Sequence, residues 1–110
     1  MSTTDQVAAI LANYGHRNAA VREKLQRLLA SGRTAGSGKL VILPVDQGFE
    51  HGAGSAFGPN PAGYDPLYHF RLALAGQASA YAAPLGALEC GAAEFAPQLP
   101  LILKLNNSDP

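Results

Sequence analysis

Hydrophobic positions change their rhythm three times along this chain. From Thr4 to Leu29 they recur at helical spacing, with a break at Gly15. Asp5 is placed to cap a first piece through "VAAILANY", and Asn18 to cap a second through "AAVREKLQRLLA". In the second piece Val21, Leu25, Leu28 and Leu29 form the apolar stripe, and Arg22, Glu23, Lys24, Gln26 and Arg27 cover the rest. Gly32 is the predicted stop, and "SGRTAGSGK" is a flexible connector by composition.

The rhythm then vanishes. "LVILPV", Leu40 to Val45, is apolar throughout, which predicts a strand covered on both faces, as in a parallel sheet flanked by helices. Pro44 fits near its end, because proline cannot donate to a ladder. A long glycine-rich loop from Gln47 to Tyr64 follows, and long loops tend to carry function. "YDPLYHFRLALAGQ" restarts a helix with Asp65 as N-cap and Pro66 at the first position, burying Leu67, Phe70, Leu74 and Leu72. "SAYAAP" reads as a second strand, "LGALECGAAEFA" as a helix weakened by Gly86 and Gly91, and "LPLILKLN" as a third strand. Helix and strand alternate, so the chain belongs to the α/β class with parallel βα units.

Parallel α/β architectures place their chemistry beyond the carboxyl ends of the strands. Asp46 lies just past the first strand and Lys104 ends the third. A carboxylate and an amine brought to one edge form a proton-transfer or substrate-orienting pair. Asp46 also fits a turn cap before Gly48, and Lys104 also fits a lysine reaching solvent along its stem. Glu50 and His51 fit a solvated rim loop, with His51 and Gln47 as candidate substrate contacts. His51 with His69 lacks a third ligand at metal spacing. Cys90 has no nearby base and reads as packing. The glycines of "GFEHGAG" are not followed by the lysine and hydroxyl of a phosphate loop.

Composition narrows the partners. The formal net charge is zero, which argues against nucleic acid or an anionic membrane held by bulk charge. One cysteine fits a reducing compartment, no apolar run approaches the roughly 18 residues of a membrane span, and no secretory signal is evident. The expected location is the cytoplasm.

In this setting "GSGKLVILPVDQGFEHGAGSAF", "NPAGYDPLYHFRLA", "AYAAPLG" and "LPLILKLN" together carry a family resemblance. The chain resembles the amino-terminal part of the bacterial and archaeal class I fructose-bisphosphate aldolases, the DhnA-type group. The resemblance implies a TIM (β/α)8 barrel, here its first three βα units over residues 39–110, after a helical extension and connector over residues 1–38. It implies reversible cleavage of fructose 1,6-bisphosphate to dihydroxyacetone phosphate and glyceraldehyde 3-phosphate through a protonated lysine Schiff base. No metal or other cofactor is implied, and the family's partners are its sugar-phosphate substrate and further copies of itself. Asp46 matches the family's active-site aspartate. The Schiff-base lysine, the tyrosine acid/base and the phosphate loops lie on later strands. Lys104 does not match the Schiff-base motif and is left as a substrate contact at the rim.

A full barrel needs about 250 residues, so the expectation is an incomplete barrel, inactive alone. Two alternatives stand beside it. One is a related aldolase or thiolase acting on another phosphorylated sugar. The other is a non-enzymatic truncated product that associates with other barrel chains through its open sheet edges.

Overall fold

The computed structural model describes residues 4–46 and 57–105. Two amino-terminal helices, α1 (Asp5–Ala12) and α2 (Ala19–Leu29), precede strand β1 (Ile42–Pro44). A 3-10 turn (Pro61–Tyr64) leads into α3 (Pro66–Ala75), followed by β2 (Ala80–Ala83), α4 (Leu85–Phe95) and β3 (Leu101–Leu103). The strands form one parallel sheet in the order β1-β2-β3, as the alternation of elements predicts.

The caps explain where the helices start. Thr4, rather than Asp5, caps α1: its hydroxyl accepts from the Val7 N–H at 3.3 Å. Asp5 instead sits in the first turn, where its charge complements the helix dipole. The Asn18 side chain accepts from the Val21 N–H at 3.0 Å. Asp65 accepts from the Leu67 N–H at 2.9 Å, with Pro66 in the first turn of α3.

The core lies between the sheet and helices α3 and α4. Phe70, Ala73, Tyr81, Ala83, Leu88, Phe95 and Leu99 form it, with Leu43, Val45, Leu67 and Leu101 packed against them. Phe70 is its centre. It stacks on Phe95 at 5.0 Å between ring centroids and meets Tyr81 edge-on at 4.8 Å. Gly91 lets α4 close on that ring, since a Cβ there would lie 2.7 Å from Phe70 Cε2. Ala73 and His69 take the buried positions on α3, and Leu72 is exposed, so the apolar stripe runs one residue away from the reading that included Leu72.

Two other expectations change. The first strand is covered on the helix side only. Leu43 and Val45 face the core, while Ile42 is exposed on the opposite face, which no helix among the described residues covers. The connector after α2 is not loose. Gly32, at φ +77°, passes so close to the α3–β2 turn that a Cβ would meet the Gln77 carbonyl oxygen at 2.6 Å. The Arg33 N–H donates to that carbonyl at 2.8 Å, and the Gly36 N–H donates to the Leu29 carbonyl at 2.9 Å. The Ser79 hydroxyl, fully buried, accepts from the Val41 N–H at 3.0 Å and lies 3.2 Å from the Thr34 hydroxyl. The Arg27 guanidinium reaches the Ala96 carbonyl at the end of α4. These ties gather at the amino-terminal edge of the sheet, leaving the opposite edge for polar groups.

Candidate functional site

Strand register decides which side chains can meet at the carboxyl edge. Ile42, Leu43 and Pro44 pair with Ala80, Tyr81 and Ala82, and Tyr81, Ala82 and Ala83 pair with Leu101, Ile102 and Leu103. The ladder continues one step, with Val45 N–H donating to the Ala82 carbonyl and Lys104 N–H to the Ala83 carbonyl. Side chains alternate between faces along each strand. Leu43, Val45, Tyr81, Ala83 and Leu101 point to the helices, so Asp46 and Lys104 share the other face and one level.

They sit two strands apart, a span of about 10 Å. The lysine stem crosses it, and the Lys104 ammonium donates to Asp46 Oδ2. Both side chains are largely shielded, at 27% and 22% exposure, so the pair feels more of its own charge than a surface pair does. The carboxylate and the amine singled out from the sequence are therefore in contact. Gln47, Glu50 and His51 lie outside the described residues.

Against this edge, on the helix side, lies a cleft of about 570 Å³. Val45, Tyr81, Leu103, Phe57, Leu85 and His69 are among its walls. His69 Nε2 donates to the Gly63 carbonyl at 2.9 Å, and its ring lies 5.2 Å from that of Phe57. His69 thus holds the turn before α3. Among the described residues no group of three or more His, Cys, Asp or Glu is placed to hold a metal ion. Cys90 is exposed rather than packed, and its thiol donates to the Gly86 carbonyl one turn back at 3.3 Å.

Tyr81 went unnoticed in the sequence, hidden among small residues in a buried strand. It is fully buried and its hydroxyl has no hydrogen-bond partner among the described residues. Burial, with a smaller contribution from Cys90, pushes the phenol up to about 12. A lone tyrosine in "SAYAAP" was the available signal, since a strand of alanines offers its hydroxyl little to bond.

Comparison with known proteins gives, among its matches, three relatives that share one name. The chain is 42% identical over 105 residues to a protein named probable fructose-bisphosphate aldolase class 1 from Chlamydia trachomatis serovar D. It is 43% identical over 105 residues to the protein of that name from Chlamydia muridarum, and 43% over 93 residues to that from Chlamydia pneumoniae. The first two matches take in 96% of this chain and the third 84%. The chain spans about 30% of the length of the first two relatives and 27% of the third. No family model matches it, and no solved structure does. No helix among the described residues is long and apolar enough to cross a membrane.

Proposed function

We propose that this chain is the amino-terminal part of a class I fructose-bisphosphate aldolase, in which Asp46 and Lys104 form the first-built corner of the active site. On this reading the three parallel strands are the opening strands of a TIM barrel working in the cytoplasm. The complete enzyme cleaves fructose 1,6-bisphosphate reversibly through a lysine Schiff base. The observation that carries the reading is the Asp46–Lys104 pair at the carboxyl edge, in a chain similar over nearly its whole length to proteins named as aldolases.

The pair assigns roles within the proposal. A Schiff-base lysine attacks a carbonyl with a free lone pair, so it must shed its proton. Lys104 donates to a carboxylate, which favours the ammonium. It suits an anionic oxygen of the substrate or the orientation of Asp46, and the nucleophile belongs to a later strand. Asp46, as an acceptor held in place, suits hydrogen bonds from substrate hydroxyls and proton movement around the iminium. Gln47 and His51 follow Asp46 directly in the chain and complete the proposed substrate contacts.

A chimera tests this. The matching 105 residues of the Chlamydia trachomatis relative are replaced by those of this chain, and aldol cleavage is measured with borohydride trapping in parallel. The chimera is expected to cleave the bisphosphate, to lose about 100-fold or more in kcat with Asp46→Asn, and to be trapped at a lysine outside this chain. A folded but inactive chimera, or a borohydride adduct on Lys104, refutes the assignment.

The uncovered sheet face favours a second reading for the chain on its own. Ile42 is exposed on it, and among the described residues both outer strands have open edges. Such a surface associates with other barrel chains. Size-exclusion chromatography with light scattering tests it, and a monodisperse monomer with a cooperative melt counts against it.

A further inference from the structure

The cleft on the helix side has a polar group that the proposed aldol chemistry does not use. The Tyr81 hydroxyl is shut off from bulk water and has no hydrogen-bond partner among the described residues. Buried hydroxyls are ordinarily paired, so an orphan of this kind calls for a partner. Tyr81 borders the cleft while its hydroxyl has no accessible surface, so a partner entering there meets it only once a wall side chain gives way. Its raised pKa keeps the phenol a neutral donor across the ordinary pH range. A lone water is a poor partner, since a buried water needs two to four polar contacts and the walls include Val45, Leu85 and Leu103.

Charge narrows the ligand further. Lys104, at the cleft's edge, is matched by Asp46, and His69 donates to the Gly63 carbonyl. Among the described wall residues the one lysine is thus already paired with a carboxylate, so an anionic ligand gains little from it. We propose that the cleft binds a small, neutral, flat apolar molecule carrying one acceptor oxygen, which takes a hydrogen bond from the Tyr81 hydroxyl. Its volume, about 570 Å³, lies within the range of small-molecule pockets. Leu85, 57% exposed, is the outer wall side chain that the proposal requires to turn. Lys104 borders the cleft as well as pairing with Asp46, but the proposal rests on Tyr81, so it stands whether or not the parent enzyme is an aldolase.

The test titrates the 110-residue chain with acetophenone and with ethylbenzene, which lacks the oxygen, followed by proton–nitrogen correlation NMR. Acetophenone is expected to give saturable shifts at Leu85, Gly86 and Leu103 and to bind about fivefold tighter than ethylbenzene, the worth of one neutral hydrogen bond. Tyr81→Phe is expected to erase that preference without lowering Tm. Equal binding of the two probes to the unmodified chain, no saturable shift, or tighter binding of benzoate than of acetophenone overturns the proposal. A lower Tm in Tyr81→Phe also overturns it, since the hydroxyl would already have a partner. Should the variant fail to fold, the comparison of probes on the unmodified chain decides alone.

Discussion

Gly91 and Gly86 sit on the same helix, and alanine at each is expected to shift stability in opposite directions. Both substitutions gain helix propensity, roughly 0.5–1 kcal/mol per Gly→Ala change. At Gly86 nothing lies within 4 Å of the added methyl, so the gain stands. At Gly91 the methyl would lie 2.7, 2.9 and 2.9 Å from three atoms of the Phe70 ring. Ordinary contact begins at 3.4 Å, so the nearest atom must retreat by 3.4 − 2.7, about 0.7 Å. Phe70 has nowhere to go, being stacked on Phe95 and set edge-on against Tyr81. Overpacking of this kind costs about 1–3 kcal/mol, and the upper half of that range applies to a ring held on two sides. Gly91→Ala is therefore destabilising by about 1–2 kcal/mol after the propensity gain. Because the propensity term is shared, the difference between the two variants isolates the steric cost. At roughly 4–8 °C per kcal/mol for a chain of this size, their melting temperatures should differ by roughly 8–24 °C. Circular-dichroism melts of both variants measure it. A Gly91→Ala chain that melts with or above the Gly86→Ala chain refutes the close approach of α4 to Phe70.

Further outcomes concern the cap, the amino-terminal ties, the buried phenol and the ion pair. Asn18→Ala should lower stability by about 1 kcal/mol in urea unfolding, and Asn18→Asp should restore most of it. Ser79→Ala removes the acceptor for the Val41 N–H and should cost about 1 kcal/mol, with faster hydrogen exchange at Val41. Tyr81 holds its proton more tightly folded than unfolded. Its stabilising effect is thus complete below pH 10 and is lost as pH rises toward about 12, by about 2–3 kcal/mol. Tyr81→Phe should flatten that alkaline decline, and a decline of unchanged slope counts against it. Lys104→Met, which breaks a partly shielded pair, should change stability by no more than about 1 kcal/mol, so a larger loss would mean the pair is structural.

The sequence and the structure agree where local chemistry decides. Asn18, Asp65 and Pro66 act at the positions their side chains dictate, because a cap needs only the next three residues. Asp46 and Lys104 were legible as partners through the strand-end rule, since register in a parallel sheet aligns equivalent ends. What escaped depends on contacts distant in sequence. The connector reads as loose from its glycines and serines, yet Gly32 and Ser37 hold particular turns, and the order comes from Gln77 and Ser79. Leu72 and Ala73 both fit a helical stripe, and only the position of the sheet shows that Ala73 is inside. The exposure of Ile42 follows from what covers the sheet, which an apolar run alone does not specify.

The grip of Arg27 on the Ala96 carbonyl has a consequence for the order in which the chain is made. The two residues are 69 positions apart. At typical synthesis rates the amino-terminal helices emerge roughly 3–14 s before the end of α4 exists to receive them. Meanwhile Thr34 and Arg33 wait for Ser79 and Gln77, some 45 positions on. The helical extension is thus made well before the elements it docks on. In that interval α1, α2 and the connector can make only their contacts with one another, such as Thr4 with the Gly36 carbonyl, and the exposed, charge-rich α2 surface faces water.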